Sequence, residues 1–294
     1  MSGGQMRGHL AMLAFSGLIA GSFALGSLAA PYIAPTALNA LRFGMASILI
    51  GVAVVASVGL RRRDFAAPWR YGILGGLMGL YFVLMFEGLK TAPPVSAAAV
   101  FTLSPILSGI AGYVLLRQIA TRRMAAALAV GAAGALWVIF RADLAALLRF
   151  EVGRGEVIYF WGCAAHAIYT PLVRLLNRGE SPLVFSFGTM AAAAAILLVV
   201  GAPDLVATDW AALPGIVWVT LAYVTVFASA VTFVLLQYAS LRLPSAKVMA
   251  YTYLTPSWVL CWQAALGNPL PGPLVLIGVG LTVLALALLL KDEH

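Results

Sequence analysis

Charge is the scarcest commodity in this sequence. Asp, Glu, Lys and Arg make up 10% of the 294 residues, where a soluble domain carries about 25%. So few charges cannot cover a water-facing surface. Acidic groups are rarer still, and no Asp lies inside any long apolar run. An intramembrane enzyme is disfavoured by further absences. There is no His-Glu-x-x-His pair for a zinc protease and no Gly-x-Ser-x-Gly elbow. His166 is the one histidine within a run that could serve a nucleophile. The two cysteines, Cys163 and Cys261, both sit in apolar runs, which argues against a structural disulfide or a zinc site. Neither a metal nor a cofactor is expected. A ring of like charges, as in an ion channel, is also missing, although a passive permease stays open.

What the chain has instead is apolar length. Hydrophobic residues account for 63% of it, in runs close to the ~20 residues that cross a bilayer. Ten such runs are read, at 10–30, 36–59, 71–89, 93–116, 122–141, 155–176, 182–202, 214–241, 244–267 and 270–290. The fifth is the weakest, but its Ala and Gly suit close helix packing. The first is longer than the ~7–15 residues of a signal-peptide core and is read as a span. The net charge of +8 suggests nucleic acid only until its placement is considered. The loops around Arg61, Arg117, Arg174 and Arg242 hold most of the basic residues. The opposite side has Lys90, Arg141, Arg149 and Arg154. Cytoplasmic loops collect Lys and Arg, so both termini are expected in the cytoplasm. The expected partners are the lipid bilayer and a small-molecule substrate, with no nucleic acid and no implied oligomer.

Two short segments echo each other. Thr102-Leu103-Ser104-Pro105 lies in the fourth run and Tyr253-Leu254-Thr255-Pro256 in the ninth, with Pro93 and Pro244 at the same distance upstream. A proline inside an apolar helix removes a backbone hydrogen bond and marks a kink. Matching kinks suggest a duplication. Phe43-Gly44 and Phe187-Gly188 echo in the same way, and Gly131 and Gly134 are matched by Gly278 and Gly280. Five runs precede the polar segment 142–154 and five follow it, and an odd number inverts the second copy. The expected fold is therefore an all-α integral membrane protein of ten transmembrane helices in two inverted five-helix repeats. The first repeat is placed at 1–141, a periplasmic link at 142–154 and the second repeat at 155–294. Inverted repeats with interrupted helices are the plan of many secondary transporters, which bind substrate near mid-membrane.

The run 35–43 with its Arg42-Phe43, together with the two Pro motifs, resembles the drug/metabolite transporter superfamily, EamA type, over nearly the full length. The nearest likeness within it is to exporters of aromatic amino acids. The resemblance implies a bacterial inner-membrane exporter of small amphiphilic solutes. Amino acids of the aromatic, methionine and threonine type are expected, moved by alternating access. Other metabolites or drugs, or a facilitative permease, are the alternative. Repeats of this type often carry a Glu at the end of the fourth helix. Here Arg117-Gln118 and Gly267-Asn268 stand near those places, and proton coupling through such a Glu loses its support.

Ionisable groups inside a membrane are costly and default to functional hypotheses. Arg42 and Glu87 stand at matching distances from the loop near residue 65. They are expected at one depth as a structural ion pair, or with Arg42 free to hold a substrate carboxylate bidentately. His166 and Tyr169 share a helix face, read as packing or as a polar cavity wall. Tyr251, Thr255 and Trp258 align on the ninth run, Phe101, Ser104 and Pro105 on the fourth, with Tyr81 on the third and Tyr223 on the eighth. Each aromatic alone is ordinary packing. Together, hydroxyls and aromatics beside kinked backbone suit an apolar pocket with a few orienting polar groups.

Overall fold

A computed structural model of the chain describes residues 3–119, 121–149 and 151–290. Among them every regular element is helical. Span one is Gly3–Ala29, span two Pro35–Ser57, span three Trp69–Gly88, span four Pro94–Leu116 and span five Arg122–Ile139. Span six is Arg154–Leu176, span seven Pro182–Val200, span eight Gly215–Ser240, span nine 245–265 and span ten Pro273–Leu290. Eight of these are long and apolar enough to cross a membrane. Span six falls short because His166, its tyrosines and its arginines dilute its hydropathy, and span nine because it is broken. Exposed side chains such as Ile48, Val52, Val55, Val199 and Ile277 give the bundle the apolar exterior that lipid requires. The backbone groups beneath them are satisfied within helices. Short helices at Leu144–Arg149 and Ala202–Ala207 and a 3-10 turn at Arg62–Phe65 decorate the loops.

The duplicated motifs produce duplicated backbone. Span four is two helices, Pro94–Phe101 and Ser104–Leu116. Span nine is Ser245–Ala250, a 3-10 turn Tyr251–Leu254 and Thr255–Ala265. The expected kinks are thus full breaks. The N-caps Pro93 and Pro244 have φ, ψ of −60°, 145° and −58°, 146°. Leu103 and Leu254, which precede the second helices, have −77°, −16° and −82°, −15°. Pro105 and Pro256 each enter the first turn of a new helix, where the missing N–H costs nothing and the fixed φ is already helical.

The halves interleave. Span three packs along span six, spans two and three against span seven, and span one against eight and nine. Spans five and ten pair with each other. Gly88 and Gly155 let spans three and six touch backbone to backbone, the small-residue contact that drives helix association in lipid. Span eight departs from sequence expectation: a π-helical stretch, Val226–Val231, interrupts it.

Candidate functional site

The face of span six carrying Tyr159, His166 and Tyr169 turns inward and meets Tyr81 of span three and Phe101 of span four. The hydroxyls of Tyr81 and Tyr159 are 3.1 Å apart and hydrogen bonded. The His166 ring lies 4.5 Å from Tyr81 and 5.4 Å from Phe101, centroid to centroid. Tyr81 stacks on Phe101 at 5.8 Å, and Phe23 of span one closes the group against Phe101 and Tyr159. Tyr169 stacks on His166 and accepts a 2.8 Å hydrogen bond from Gln237 Nε2 of span eight. All of these side chains are buried. Several polar atoms among and beside them have no protein partner: His166 Nδ1, Gln237 Oε1, and the hydroxyls of Ser104 and Ser108 on the second half of span four. A buried polar group left unpaired costs about 1–3 kcal/mol. Such groups can accept hydrogen bonds from a solute or from water.

Arg42 adjoins this cluster and is fully buried. Its Nε donates to Ser229 Oγ and its Nη2 to the carbonyl of Ala228, both at 2.6 Å, and Nη1 reaches Asn39 Oδ1 at 3.4 Å. The guanidinium lies 3.6 Å from the centroid of Phe82, and Phe82 packs on Tyr81, Phe43 and Phe233. Ala228 and Ser229 belong to the π segment of span eight. A π turn loosens the regular i to i−4 pattern and recurs at functional sites; here it turns a carbonyl toward a cation.

The expected Arg42–Glu87 pair is not formed. Glu87 pairs with Lys90 at 2.6 Å at the partly exposed end of span three. Lys90 is three residues on, in the turn that follows the helix, and both side chains are partly exposed, so that pair forms without burying a carboxylate. Arg42 is answered by dipoles and aromatic faces instead. Among the described residues the ion pairs are Lys90–Glu87, Arg149–Glu151 and Arg70–Glu180. The last is buried, 2.6 Å long, and ties span three to the loop before span seven. Arg70 also donates to the carbonyl of Leu176. Burial pushes the Glu180 carboxyl up. It is outweighed by hydrogen bonds from Arg70 and the Arg178 and Glu180 backbone, and by the charge of Arg70. The net effect holds it below the usual carboxylate range.

Of the residues singled out in the sequence, the structure brings Tyr81, Phe101, His166 and Tyr169 into one cluster, with Ser104 and Pro105 at the helix break beside Phe101. Three others pin their helices to span one. Tyr251 bonds His9 at 3.0 Å, Trp258 donates to Ser16 Oγ at 3.2 Å while 39% exposed, and Tyr223 donates to the carbonyl of Leu18. Thr255 is buried with its hydroxyl unpartnered. Sequence reasoning passed over Phe23, Tyr159, Phe233, Gln237 and Ser229. Tyr159 was within reach, lying two turns before His166 on the same face.

The profile of the EamA-like transporter family matches residues 6–140 and again residues 153–291. The chain belongs to this family. Two successive matches are what a duplicated chain produces, and membership makes this a multi-pass membrane transporter of the drug/metabolite superfamily rather than an enzyme. The chain is also similar to the uncharacterized transporter YyaM of Bacillus subtilis (strain 168), with 24% identity over 264 residues, covering 89% of this chain and 87% of that one. A solved crystal structure superposes over 99% of both chains with a TM-score of 0.71 at 21% identity, which shows the fold.

Proposed function

We propose that this transporter exports small amphiphilic solutes across a bacterial inner membrane by alternating access, with amino acids of the aromatic, methionine and threonine type as the first class to assay. Arg42 takes the carboxylate and the cluster around Tyr81, Phe101 and His166 takes the apolar side chain. The observation that carries this reading is a fully buried arginine with no acidic partner among the described residues, seated against an aromatic cluster in which His166 Nδ1 is unpaired. Apolar burial contributes about 25 cal/mol per Å², and the guanidinium fixes orientation. In this reading 1–141 and 155–294 are the two repeats, 142–154 faces the periplasm and both termini face the cytoplasm, as the distribution of basic residues favours.

The test is efflux of labelled amino acids from proteoliposomes with and without a pH gradient. Arg42→Ala should abolish efflux of every carboxylate-bearing solute while Trp258→Ala leaves it measurable. Efflux unaffected by Arg42→Ala would overturn the site, and dependence on a pH gradient would separate coupled export from facilitated diffusion.

A further inference from the structure

We infer that the site is built for a monoanion: an aryl or alkyl carboxylate whose α-carbon carries hydrogen, hydroxyl or oxo rather than ammonium. This rests on the reading of Arg42 as the carboxylate receptor and, within the small amphiphilic solutes, ranks monoanions above the amino acids assayed first.

The argument is a charge inventory. A guanidinium stays protonated under all ordinary conditions, so Arg42 brings one positive charge into the bundle about 10 Å, seven residues at 1.5 Å rise, beyond the start of span two. The chain has ten acidic residues. Every one in a described segment lies in a loop, in a short loop helix or at the end of a span. Glu87 is committed to Lys90, and Glu156, in the first turn of span six, accepts from Ser96 Oγ. The α-ammonium of an amino acid is one carbon removed from its carboxylate and must lie close to the guanidinium. The acceptors there are Ser229 Oγ, the Ala228 carbonyl and Asn39 Oδ1, neutral groups that each already take one bond from Arg42 and carry no charge to balance an ammonium. The nearest aromatic face, Phe82, is covered by the guanidinium itself. A zwitterion would set a second cation beside Arg42 with no described carboxylate to balance it and leave a net positive charge in the bundle, whereas a monoanion neutralises Arg42 and adds no second charge. Arg42 can receive it. A guanidinium has five N–H donors, and the three recorded bonds leave one on each of Nη1 and Nη2.

The same face of span eight extends from Ser229 through Phe233 to Gln237, spaced four residues apart. An apolar body can lie along Phe233 while Gln237 Oε1, unpartnered, accepts from a hydroxyl at the far end.

The experiment uses the purified full chain in detergent, so that passive permeation of weak acids is irrelevant, and reads equilibrium binding by ligand-induced thermal stabilisation. The probes share one carbon frame: 3-phenylpropionate, 3-phenyllactate, phenylpyruvate, phenylalanine and phenethylamine. The three monoanions should bind at least tenfold more tightly than phenylalanine, and phenethylamine should not bind. In Arg42→Gln the difference between the monoanions and phenylalanine should disappear. If that variant does not fold, the wild-type ranking alone decides. Phenylalanine binding as tightly as the monoanions, its ammonium then resting on a face such as Phe233, would overturn this inference and leave the carboxylate site standing. Phenethylamine binding as tightly as the acids, or no binding by any carboxylate, would overturn both.

Discussion

Gly134 and Gly278 face each other across spans five and ten so closely that each one's carbonyl oxygen stands 2.6–2.8 Å from where a Cβ on the other would be. No side chain fits between them. Gly278→Val or Gly134→Leu should push the two helices apart at a cost of about 1–3 kcal/mol, typical of overpacking, read as a lower melting temperature in detergent. Gly280, with nothing within 4 Å, is the control: Gly280→Ala should leave melting unchanged. Equal losses at 278 and 280 would mean that this contact does not hold the pair.

The Arg70–Glu180 pair predicts a pH dependence. The Glu180 pKa is depressed in the folded chain from its ordinary 4.5. Its contribution to stability is therefore complete above about pH 5 and is lost as pH falls below 4.5 through the folded value. A charge-assisted hydrogen bond of this kind is worth about 2 kcal/mol. Glu180→Gln should lower the melting temperature at pH 7. The gap between variant and wild type should shrink as pH falls below 4.5. A gap that stays constant down to acid unfolding would show the loss to be steric.

Tyr81 and Tyr159 satisfy each other's hydroxyls within the aromatic cluster. Tyr81→Phe leaves the Tyr159 hydroxyl with the weak Cys163 thiol as its partner, at a cost of about 1 kcal/mol. The double variant with Tyr159→Phe removes both groups and should recover part of the loss. Additive losses in the melting curves would count against the bond.

Position should also separate the aromatics by function. Phe101→Ala should lower transport of apolar solutes at least tenfold. Trp258→Phe, at a partly exposed site where span nine meets span one, should change it less than twofold. The reverse ranking in efflux assays would move the site to the face of span nine.

The fold was legible because apolar length and a repeated proline spacing are written in the chain. The helix breaks follow from Pro105 and Pro256. The π segment of span eight was not legible, since Val226–Val231 contains neither Gly nor Pro and reads as plain apolar helix. The partner of Arg42 was hidden for a related reason. Opposite charge at equal depth is the strongest cue a sequence offers, yet the groups that answer Arg42 are a serine, a carbonyl and a ring. Tyr81, Phe101, His166 and Tyr169 were legible from helical spacing. Tyr251 and Trp258 do share one side of span nine, as their spacing suggests, but that side meets His9 and Ser16 of span one, and spacing along one helix does not say which neighbour a face meets.

The copied break in spans four and nine bears on energy as well as shape. When the two halves of an inverted repeat exchange conformations, the forms open to either side of the membrane are related by a pseudo-two-fold rotation about an axis in the membrane plane. Their free energies then differ only through side chains that the halves do not share. Pro93, Pro105, Pro244 and Pro256 cancel in that comparison; Arg70 and Glu180, at one end of the bundle, do not. An unmatched contact worth about 2 kcal/mol biases a two-state equilibrium roughly thirtyfold. If the chain works by alternating access as proposed, substitutions at such unmatched contacts should retune its resting population without touching the site.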